Sequence, residues 1–227
     1  MRPLPWSHSS KEDFKNCPKA FYEKRVAKSV VDPPNEAGDW GNYVHKEFEK
    51  WLNARFSDRD PPLPADCEQY RPYLQAIAAR PGLMYVECKY AITRGLQPCD
   101  FFAEDVWCRA ILDVIHVKDD KAWVQDHKTG KRKHDTRQLK LCALMVFIHH
   151  PQVNTVYTAY NWLVDGATDR EKYTRDQEAE LWGEFLPDLM AYKQAFHTMT
   201  FNPKPSGLCN GWCPVTSCEF WKPKRRQ

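Results

Sequence analysis

Two aspartates and a lysine lie in segments whose other residues are largely apolar. Asp113 interrupts the apolar run at 111–115, and Asp126 and Lys128 lie two positions apart further along the chain. Acidic residues in such places usually serve chemistry. Two neighbouring carboxylates both stay ionised only with a cation between them, and hard oxygen ligands favour Mg²⁺ or Mn²⁺. A lysine beside that cation could orient or activate a water, or stabilise charge on a phosphate.

The segments that carry these residues have the side-chain pattern of β-strands. We predict strands at 106–117 and 122–128, joined as a hairpin through the polar turn at 118–121. Side chains alternate along a strand, so Asp126 and Lys128 point to one face and Asp113 can approach them there. The alternative interpretation is an exposed hairpin with surface ion pairs, and it leaves the apolar neighbours of Asp113 unexplained.

The order of the other predicted elements indicates an α/β fold with a mixed central sheet flanked by helices. We predict further strands at 83–93, 153–164 and 171–174, and helices from Ser9 or Ser10 to 26 and at 39–56, 66–79, 135–148 and 175–198. One domain spanning 1–227 is expected, with a helical part at 9–80, a core at 83–200 and a cysteine-rich tail at 201–227.

Composition excludes several classes of protein. Hydrophobic residues make up 42% of the chain and aromatic residues 13%, which excludes a disordered protein. The longest purely apolar stretch, at 143–148, is far too short to span a bilayer, so no membrane association is expected. The N-terminus shows no secretory signal, which predicts an intracellular, cytoplasmic protein (the host cytoplasm if it is phage-encoded). Its nine cysteines should then stay reduced unless they bind a metal.

Basic residues are clustered although the formal net charge is only +3. Six Lys or Arg and one acid fall between positions 128 and 140, including Lys131, Arg132 and Lys133, and a second basic cluster ends the chain at 222–226. Such clusters suit the phosphate backbone of a nucleic acid. On charge alone, a solvated surface and a soluble tail are the favoured explanation of both clusters.

In combination, these motifs resemble the PD-(D/E)XK nuclease superfamily, and most closely its RecB-like exonuclease branch, which includes CRISPR-associated and phage recombination exonucleases. Asp113 followed by the run DHKTG at 126–130 resembles the catalytic motif, and GNYVHKEFE at 41–49 resembles the first helical motif of that branch. Gln138 resembles its glutamine motif, although the family tyrosine four residues later is Cys142 here.

The resemblance implies a restriction-endonuclease-like core and a metal-dependent DNA exonuclease acting on a single strand or a duplex end. The implied setting is DNA recombination, repair or phage DNA processing, with Mg²⁺ or Mn²⁺ as cofactor. The implied roles are metal binding by His45, Asp113, Asp126 and the main-chain carbonyl of His127, metal support through water by Glu87, orientation or activation of the attacking water by Lys128, and steering of Lys128 or substrate by Gln138.

Four cysteines at the two ends of the chain form a second candidate site: Cys17, Cys209, Cys213 and Cys218. Four thiolates can bind a [4Fe–4S] cluster or a structural Zn²⁺, and Cys17 and Cys213 are each followed by proline, as in many cluster-binding runs. The same branch includes members whose one N-terminal and three C-terminal cysteines bind such a cluster. The last three are separated here by three and four residues, where two and five are familiar. We rank iron–sulfur first, zinc second and unbound thiols third.

Two other functions stay open at this stage. A non-catalytic nucleic-acid-binding protein with a cysteine metal site and a degenerate nuclease fold would not need the complete His, Asp, Asp, Lys set. A sequence-specific endonuclease would need base-reading elements, and the sequence identifies none. Tyr22, Trp40 or Tyr43 could stack on bases, although aromatics at such positions are more often core. A helicase or recombination partner is suggested by analogy alone, and the oligomeric state is not indicated.

Overall fold

The computed structural model describes residues 1–54, 61–133 and 135–223. The chain divides into two compact units, one formed by residues 35–181 and the other by residues 1–34 with 182–227. The predicted organisation as one domain stays a prediction. The basic positions 224–226 and the last two positions of the helix predicted at 39–56 lie outside the described residues.

The unit at 35–181 is built on a five-stranded sheet. Its strands are β1 (Leu83–Thr93), β2 (Val106–Lys118), β3 (Lys121–Lys128), β4 (Thr155–Trp162) and β5 (Ala167–Thr174), and they neighbour one another in that order. Strands β3 and β4 run parallel, and the other three neighbouring pairs run antiparallel. The predicted mixed sheet flanked by helices is therefore confirmed. Strand β5 begins at Ala167 instead of the predicted 171, because pairing with β4 extends the strand through polar residues.

Helices pack on both sides of this sheet. Helices α3 (Glu36–Ala54) and α4 (Arg71–Ala78) bury the predicted stripe of Val44, Phe48, Trp51 and Leu52 against Val114 of β2. Helix α5 (Arg137–His149) is buried along most of its length, and its first turn contacts β3. The third predicted helix was placed too early, since residues 68–70 form a 3₁₀ turn before α4.

The second unit combines both ends of the chain. It contains α1 (His8–Asn16), α2 (Pro18–Phe21), a π-helical turn at Tyr22–Val26, most of α6 (Glu178–Thr198), and a loop-like tail with a 3₁₀ turn at Gly207–Cys209. One continuous N-terminal helix was the wrong prediction, because Cys17 is extended ahead of Pro18 and Ser7 is the residue that caps α1. Phe14, Phe21 and Tyr192 pack edge to face in the core of this unit.

No helix in the described ranges is long and apolar enough to cross a membrane, in agreement with the short apolar runs of the sequence.

The apolar packing under the sheet predicts a clear difference between two leucines. Leu52 is fully buried and Leu83 is 67% exposed. We expect Leu52→Ala to lower the free energy of unfolding by about 2–5 kcal/mol, because it removes buried methyl groups and leaves a cavity. Leu83→Ala should change it by less than about 1 kcal/mol. Urea denaturation followed by circular dichroism measures both, and equal effects would contradict this account of the core.

Candidate active site

Five elements of the unit at 35–181 bring the predicted chemical residues together. Pairing of β2 with β3 continues to Val114 and Gln125, and Asp113 and Asp126 occupy the next position on each strand. Both aspartates are buried, with exposed fractions of 9% and 4%. Helix α3 contributes His45, β1 contributes Glu87, and α5 contributes Gln138. The clustering follows from strand register and helix packing acting together.

His45, Glu87 and Asp113 form a compact set of possible metal ligands. The Nδ1 atom of His45 lies 3.5 Å from Oδ1 of Asp113 and 3.7 Å from Oε1 of Glu87. One ligand atom from each of the three residues lies within 4.8 Å of the other two, and among the described residues this is the one group of its kind. One imidazole nitrogen and two carboxylate oxygens suit a divalent cation such as Mn²⁺ or Mg²⁺.

The backbone of Glu87 is unusual for a residue inside a strand. Its φ angle is +50°, in the left-handed region that residues other than glycine rarely occupy. Left-handed backbone at a non-glycine residue costs on the order of 1–3 kcal/mol and is concentrated at functional sites. Here it accompanies a carboxylate that faces His45 across the site. Glu87 had the least support in the sequence among the predicted ligands, and its backbone conformation is a separate argument for a role at this site.

Electrostatics link His45 to the acidic side chains around it. Burial by itself would lower the pKa of His45, but hydrogen bonds to Asp113 and Glu87 outweigh it and raise that pKa to about 10. Burial likewise opposes ionisation of Asp113, yet the interactions with His45 and His127 hold its pKa below the ordinary value. A protonated His45 thus neutralises acidic charge that a bound cation would also neutralise.

Asp126, Lys128 and Gln138 form a closed network on the next strand and helix. The ammonium of Lys128 lies 2.6 Å from Oδ1 of Asp126 and donates a hydrogen bond of 3.0 Å to Oε1 of Gln138. The Gln138 amide donates a hydrogen bond of 2.8 Å to the other oxygen, Oδ2, of Asp126. Gln138 therefore holds both members of the ion pair, and its position in the first turn of α5 links that helix to β3.

The two charged groups of this network respond to burial in opposite ways. Burial, together with the charge of the neighbouring Asp113, raises the pKa of Asp126 to about 6 against the opposing effect of Lys128. Burial would lower the pKa of Lys128, but the ion pair with Asp126 raises it above the ordinary value. Lys128 is consequently a cation at neutral pH and is not poised to act as a base.

The side chain of His127 points away from the network of Asp126, Lys128 and Gln138, while its backbone links Asp113 to His45. Its backbone N–H donates a hydrogen bond of 2.7 Å to Asp113, and its carbonyl oxygen lies 2.9 Å from Nε2 of His45. Its ring is buried against Phe48, and its Nδ1 lies 2.7 Å from the hydroxyl of Tyr73. Burial lowers the pKa of His127 to about 4. The His127 carbonyl, which is predicted to bind the metal, thus faces His45, the histidine predicted to bind the same metal.

The site opens into a cleft of about 640 Å³. His45, Glu87, Asp113 and Lys128 line it, together with the loop that follows β3. Gly41 of α3 lies close to that loop, since a Cβ atom at this position would come within 3.0 Å of the Thr129 hydroxyl oxygen. A glycine one turn before His45 therefore lets α3 approach the end of β3.

The predicted nucleic-acid-binding residues lie in the loop after β3. Lys131, Arg132 and Lys133 are all exposed. Arg132 forms an ion pair with Asp169 of β5, which reduces the charge it can offer to a phosphate. The role of this loop in nucleic-acid binding stays a prediction.

The aromatic residues suggested for base stacking have other contacts. Trp40 and Tyr43 contact each other on α3 and pack against its hydrophobic core, and the Tyr43 hydroxyl donates a hydrogen bond of 3.1 Å to Asp66. Tyr22 packs against Phe201 in the other unit. These contacts account for the three aromatic side chains as packing residues.

The four predicted cluster ligands all line one pocket of the unit formed by the chain ends, and they are Cys17, Cys209, Cys213 and Cys218. Burial raises the pKa of Cys213, and the other three cysteines are close enough to raise it further. Cys17 accepts a backbone N–H from Lys204 at 3.4 Å, and Cys209 accepts one from Ser206 at 3.5 Å. The tail thus brings its three cysteines to the one that precedes α2.

Tyr160 and Tyr73 were missed by sequence reasoning. Tyr160 of β4 pairs with Asp126 in the parallel register, and its ring centroid lies 5.0 Å from the Lys128 ammonium. Tyr73 of α4 reaches the ring of His127. Neither tyrosine stands in a motif with the other site residues, so only pairing and packing could reveal them.

A comparison with protein-family models identifies the chain. Residues 5–218 match the model described as the PD-(D/E)XK nuclease superfamily. The chain belongs to this superfamily. The match covers nearly the whole sequence, including both the cleft and the cysteine-rich tail.

Comparisons with individual proteins add information on the fold. No curated protein sequence matches the chain significantly. Among solved structures, the chain is similar to a candidate exonuclease from Eubacterium rectale, with a TM-score of 0.53 and 13% identity over 92% of this chain and 86% of that one. It is also similar to a protein named SSO0001, with a TM-score of 0.46 and 12% identity over 96% of this chain and 87% of that one. At such identities the first likeness supports the fold alone.

PD-(D/E)XK nucleases typically use Mg²⁺ or Mn²⁺. The nitrogen and oxygen donors of His45, Glu87 and Asp113 fit such a cation, because they lie close together and carry excess negative charge. The RecB-like branch and the individual residue roles remain predictions.

The ligand set predicts a measurable loss of metal affinity. We expect Glu87→Gln and Asp113→Asn to weaken Mn²⁺ binding at least tenfold, because each removes a carboxylate charge from the site. Glu171→Gln, which alters an exposed carboxylate on β5, is the matched control and should bind Mn²⁺ like the wild type. Isothermal titration calorimetry with MnCl₂ alone measures all three. Unchanged affinity in both site variants would show that the cation binds elsewhere.

Proposed function

We propose that this protein is a metal-dependent DNA exonuclease. The observation that carries the proposal is the Asp126–Lys128 ion pair, held by Gln138 beside the His45, Glu87 and Asp113 cluster. This arrangement offers a cationic donor next to a candidate cation site, and both can stabilise the negative charge that develops during hydrolysis of a phosphodiester.

His45, Asp113 and Glu87 would hold the cation, and the carbonyl of His127 adjoins His45. Asp126 lies outside this compact set and acts on His45 and Asp113 through its charge. When bound, a divalent cation supplies Lewis-acid polarisation of the phosphoryl group and stabilises the leaving oxygen. Proton release from His45 would accompany binding, since a nitrogen that carries a proton cannot coordinate a metal.

Lys128 has the properties of an orienting and charge-stabilising group. Its raised pKa keeps it protonated, so its N–H groups can donate hydrogen bonds to a water or to a phosphate oxygen. Asp126 and Gln138 fix the position of the ammonium, and the ring of Tyr160 packs against it. Side chains fixed in this way act without the cost of reorganising during the reaction.

Three arguments support DNA end processing as the reaction. The superfamily consists of nucleases, the motifs resemble the RecB-like exonuclease branch, and the structural relative from Eubacterium rectale is named a candidate exonuclease. Lys131 and Lys133, exposed in the loop after β3, would contact the phosphate backbone near the cleft. The branch suggests a role in DNA recombination, repair or phage DNA processing, inside the cell.

Substitution of Lys128 tests the catalytic assignment. Lys128→Ala removes the only cation of the network with Asp126 and Gln138, and we expect cleavage to fall at least 100-fold. Hydrolysis of 5′- and 3′-end-labelled DNA with Mn²⁺ or Mg²⁺ measures the rate, and the labelled products identify the polarity and the preferred strand form.

Lys193→Ala is the matched control for this experiment, because Lys193 is exposed on α6, and it should cleave at the wild-type rate. A Lys128→Ala protein that folds normally and cleaves DNA like the wild type would overturn the assignment. Products that begin inside a circular substrate would identify an endonuclease.

We further propose that Cys17, Cys209, Cys213 and Cys218 bind a [4Fe–4S] cluster. Four thiolates around one zinc ion lie roughly 3.8 Å apart, since each Zn–S bond is about 2.3 Å long. A cluster needs the four thiolates gathered at one place, and all four cysteines line one pocket. Backbone N–H groups directed at Cys17 and Cys209 also suit cluster thiolates.

A cluster there would be structural. Linking Cys17 to the tail closes a loop of about 190 residues and restricts the unfolded chain. Zinc is the alternative occupant of the same four thiolates.

Removing one cysteine tests both occupants. We expect protein purified anaerobically to show the visible charge-transfer absorption of an iron–sulfur protein and about four iron atoms per chain by elemental analysis. Cys213→Ser should lose both signals and melt at a lower temperature, whereas Cys99→Ser, a cysteine outside this pocket, should keep them. Zinc in place of iron would reject the cluster, and absence of both metals would reject the site.

A further inference from the structure

One face of the sheet, outside the cleft, combines basic and aromatic side chains. We call it the open face and define it by Lys121 and Trp123 of β3, Tyr157 of β4, and Arg170 and Lys172 of β5. The strands pair so that Trp123 lies beside Tyr157 and Tyr157 lies beside Lys172. These five residues therefore share one side of three neighbouring strands.

Alternation along β5 separates the charges of the two faces. Arg170 and Lys172 point to the open face, while Asp169 and Glu171 between them point to the opposite one. Within the described strands β3 to β5, the side chains on the open face include no Asp or Glu. Residues 169–172 of β5 are all charged, and alternation places both of the basic ones on the open face, which makes that face basic.

Two cations enclose an aromatic pair on this face. The rings of Trp123 and Tyr157 are stacked, with centroids 5.7 Å apart and planes inclined by 13°. The Arg80 guanidinium lies 5.8 Å from the Trp123 ring centroid, and the Lys172 ammonium lies 6.0 Å from that of Tyr157. The result is a row of four side chains with a positive charge at each end.

The packing helices leave this face accessible. Helices α3 and α4 cover the same side of the sheet at β1 and β2, through contacts with Met84, Val86 and Val114. Helix α5 packs on the other side, where the alternate residues of β3 and β4 are buried. On the open face, Lys121, Arg170 and Lys172 are exposed and both aromatic rings are partly exposed.

We propose that the open face binds single-stranded DNA and guides it as a substrate or product of the enzyme. The proposal rests on the proposed function, which supplies a polyanionic ligand. Within β3 to β5 this face has no acidic side chain, and together with Arg80 it presents four Lys or Arg side chains, which match a phosphate backbone in charge. The aromatic pair favours a single strand, because unpaired bases can contact aromatic rings while the bases of a duplex are stacked inside it.

Removal of two charges tests the proposal. In EDTA, without hydrolysis, we measure binding of a fluorescein-labelled single-stranded oligonucleotide by anisotropy from about 0.05 to 1 M salt. The slope of log Kobs against log salt is negative, and each lost phosphate contact reduces its magnitude by about 0.7, so Arg170→Ala/Lys172→Ala should reduce the magnitude by about 1.4. If the proteins bind equally at 1 M salt, this equals roughly 25-fold weaker binding at 0.1 M.

Two further variants control for charge and for folding. Arg170→Lys/Lys172→Arg keeps both charges and should retain the wild-type slope. Lys50→Ala/Lys193→Ala removes two exposed charges elsewhere and should also retain it. Thermal melting by circular dichroism identifies any variant that is misfolded. If Arg170→Ala/Lys172→Ala is misfolded, Arg170→Gln/Lys172→Gln, which removes the same two charges but keeps long side chains, carries the test.

The outcomes separate this proposal from the enzyme assignment. A wild-type slope and affinity in Arg170→Ala/Lys172→Ala would overturn the proposal even if the enzyme cleaves DNA. The basic open face would then be a binding surface for an acidic protein partner. An equal loss for a blunt duplex would overturn the single-strand preference. Loss of single-strand binding in a protein whose wild type does not cleave would support the open face and reject the exonuclease.

Discussion

Two buried aspartates impose the electrostatic constraint on which the site depends. Removing Asp113 and Asp126 from water disfavours their ionised forms, so the surrounding groups must compensate for two nearby negative charges. The structure does this separately for each. Asp113 receives a backbone N–H and a histidine, and Asp126 receives an ammonium and an amide. A cation beside Asp113 would take over the charge that His45 now carries.

This constraint explains why the site needs elements from distant parts of the chain. The β2–β3 pairing supplies the two aspartates and Lys128, but His45 and Gln138 come from helices on both sides of the sheet. The left-handed backbone of Glu87 and the glycine at position 41 serve the same convergence, the first beside the ligands and the second by allowing α3 to approach the loop after β3. Sheet and helices thus form one preorganised environment.

Charge is also segregated at larger scale. The cleft concentrates acidic groups and Lys128, while the proposed open face of β3–β5 is basic. The cysteine-lined pocket belongs to the other unit and combines residues from the two chain ends. The cleft, the open face and the cysteine-lined pocket are therefore formed by different residues. Each can be altered by substitution without removing the others.

The sequence by itself determined the strands around Asp113, Asp126 and Lys128, the helical stripe beside His45, and the mixed sheet, because these depend on local periodicity and on spacing within short segments. The sequence pattern was wrong at two places. The N-terminal helix is interrupted before Pro18 by extended backbone, and pairing with β4 starts β5 earlier than the pattern predicts. Only the tertiary structure decided that Tyr160 packs on Lys128 and that Glu87 faces His45. Such contacts join residues distant in sequence, and no periodicity records them, since they depend on how separate elements pack.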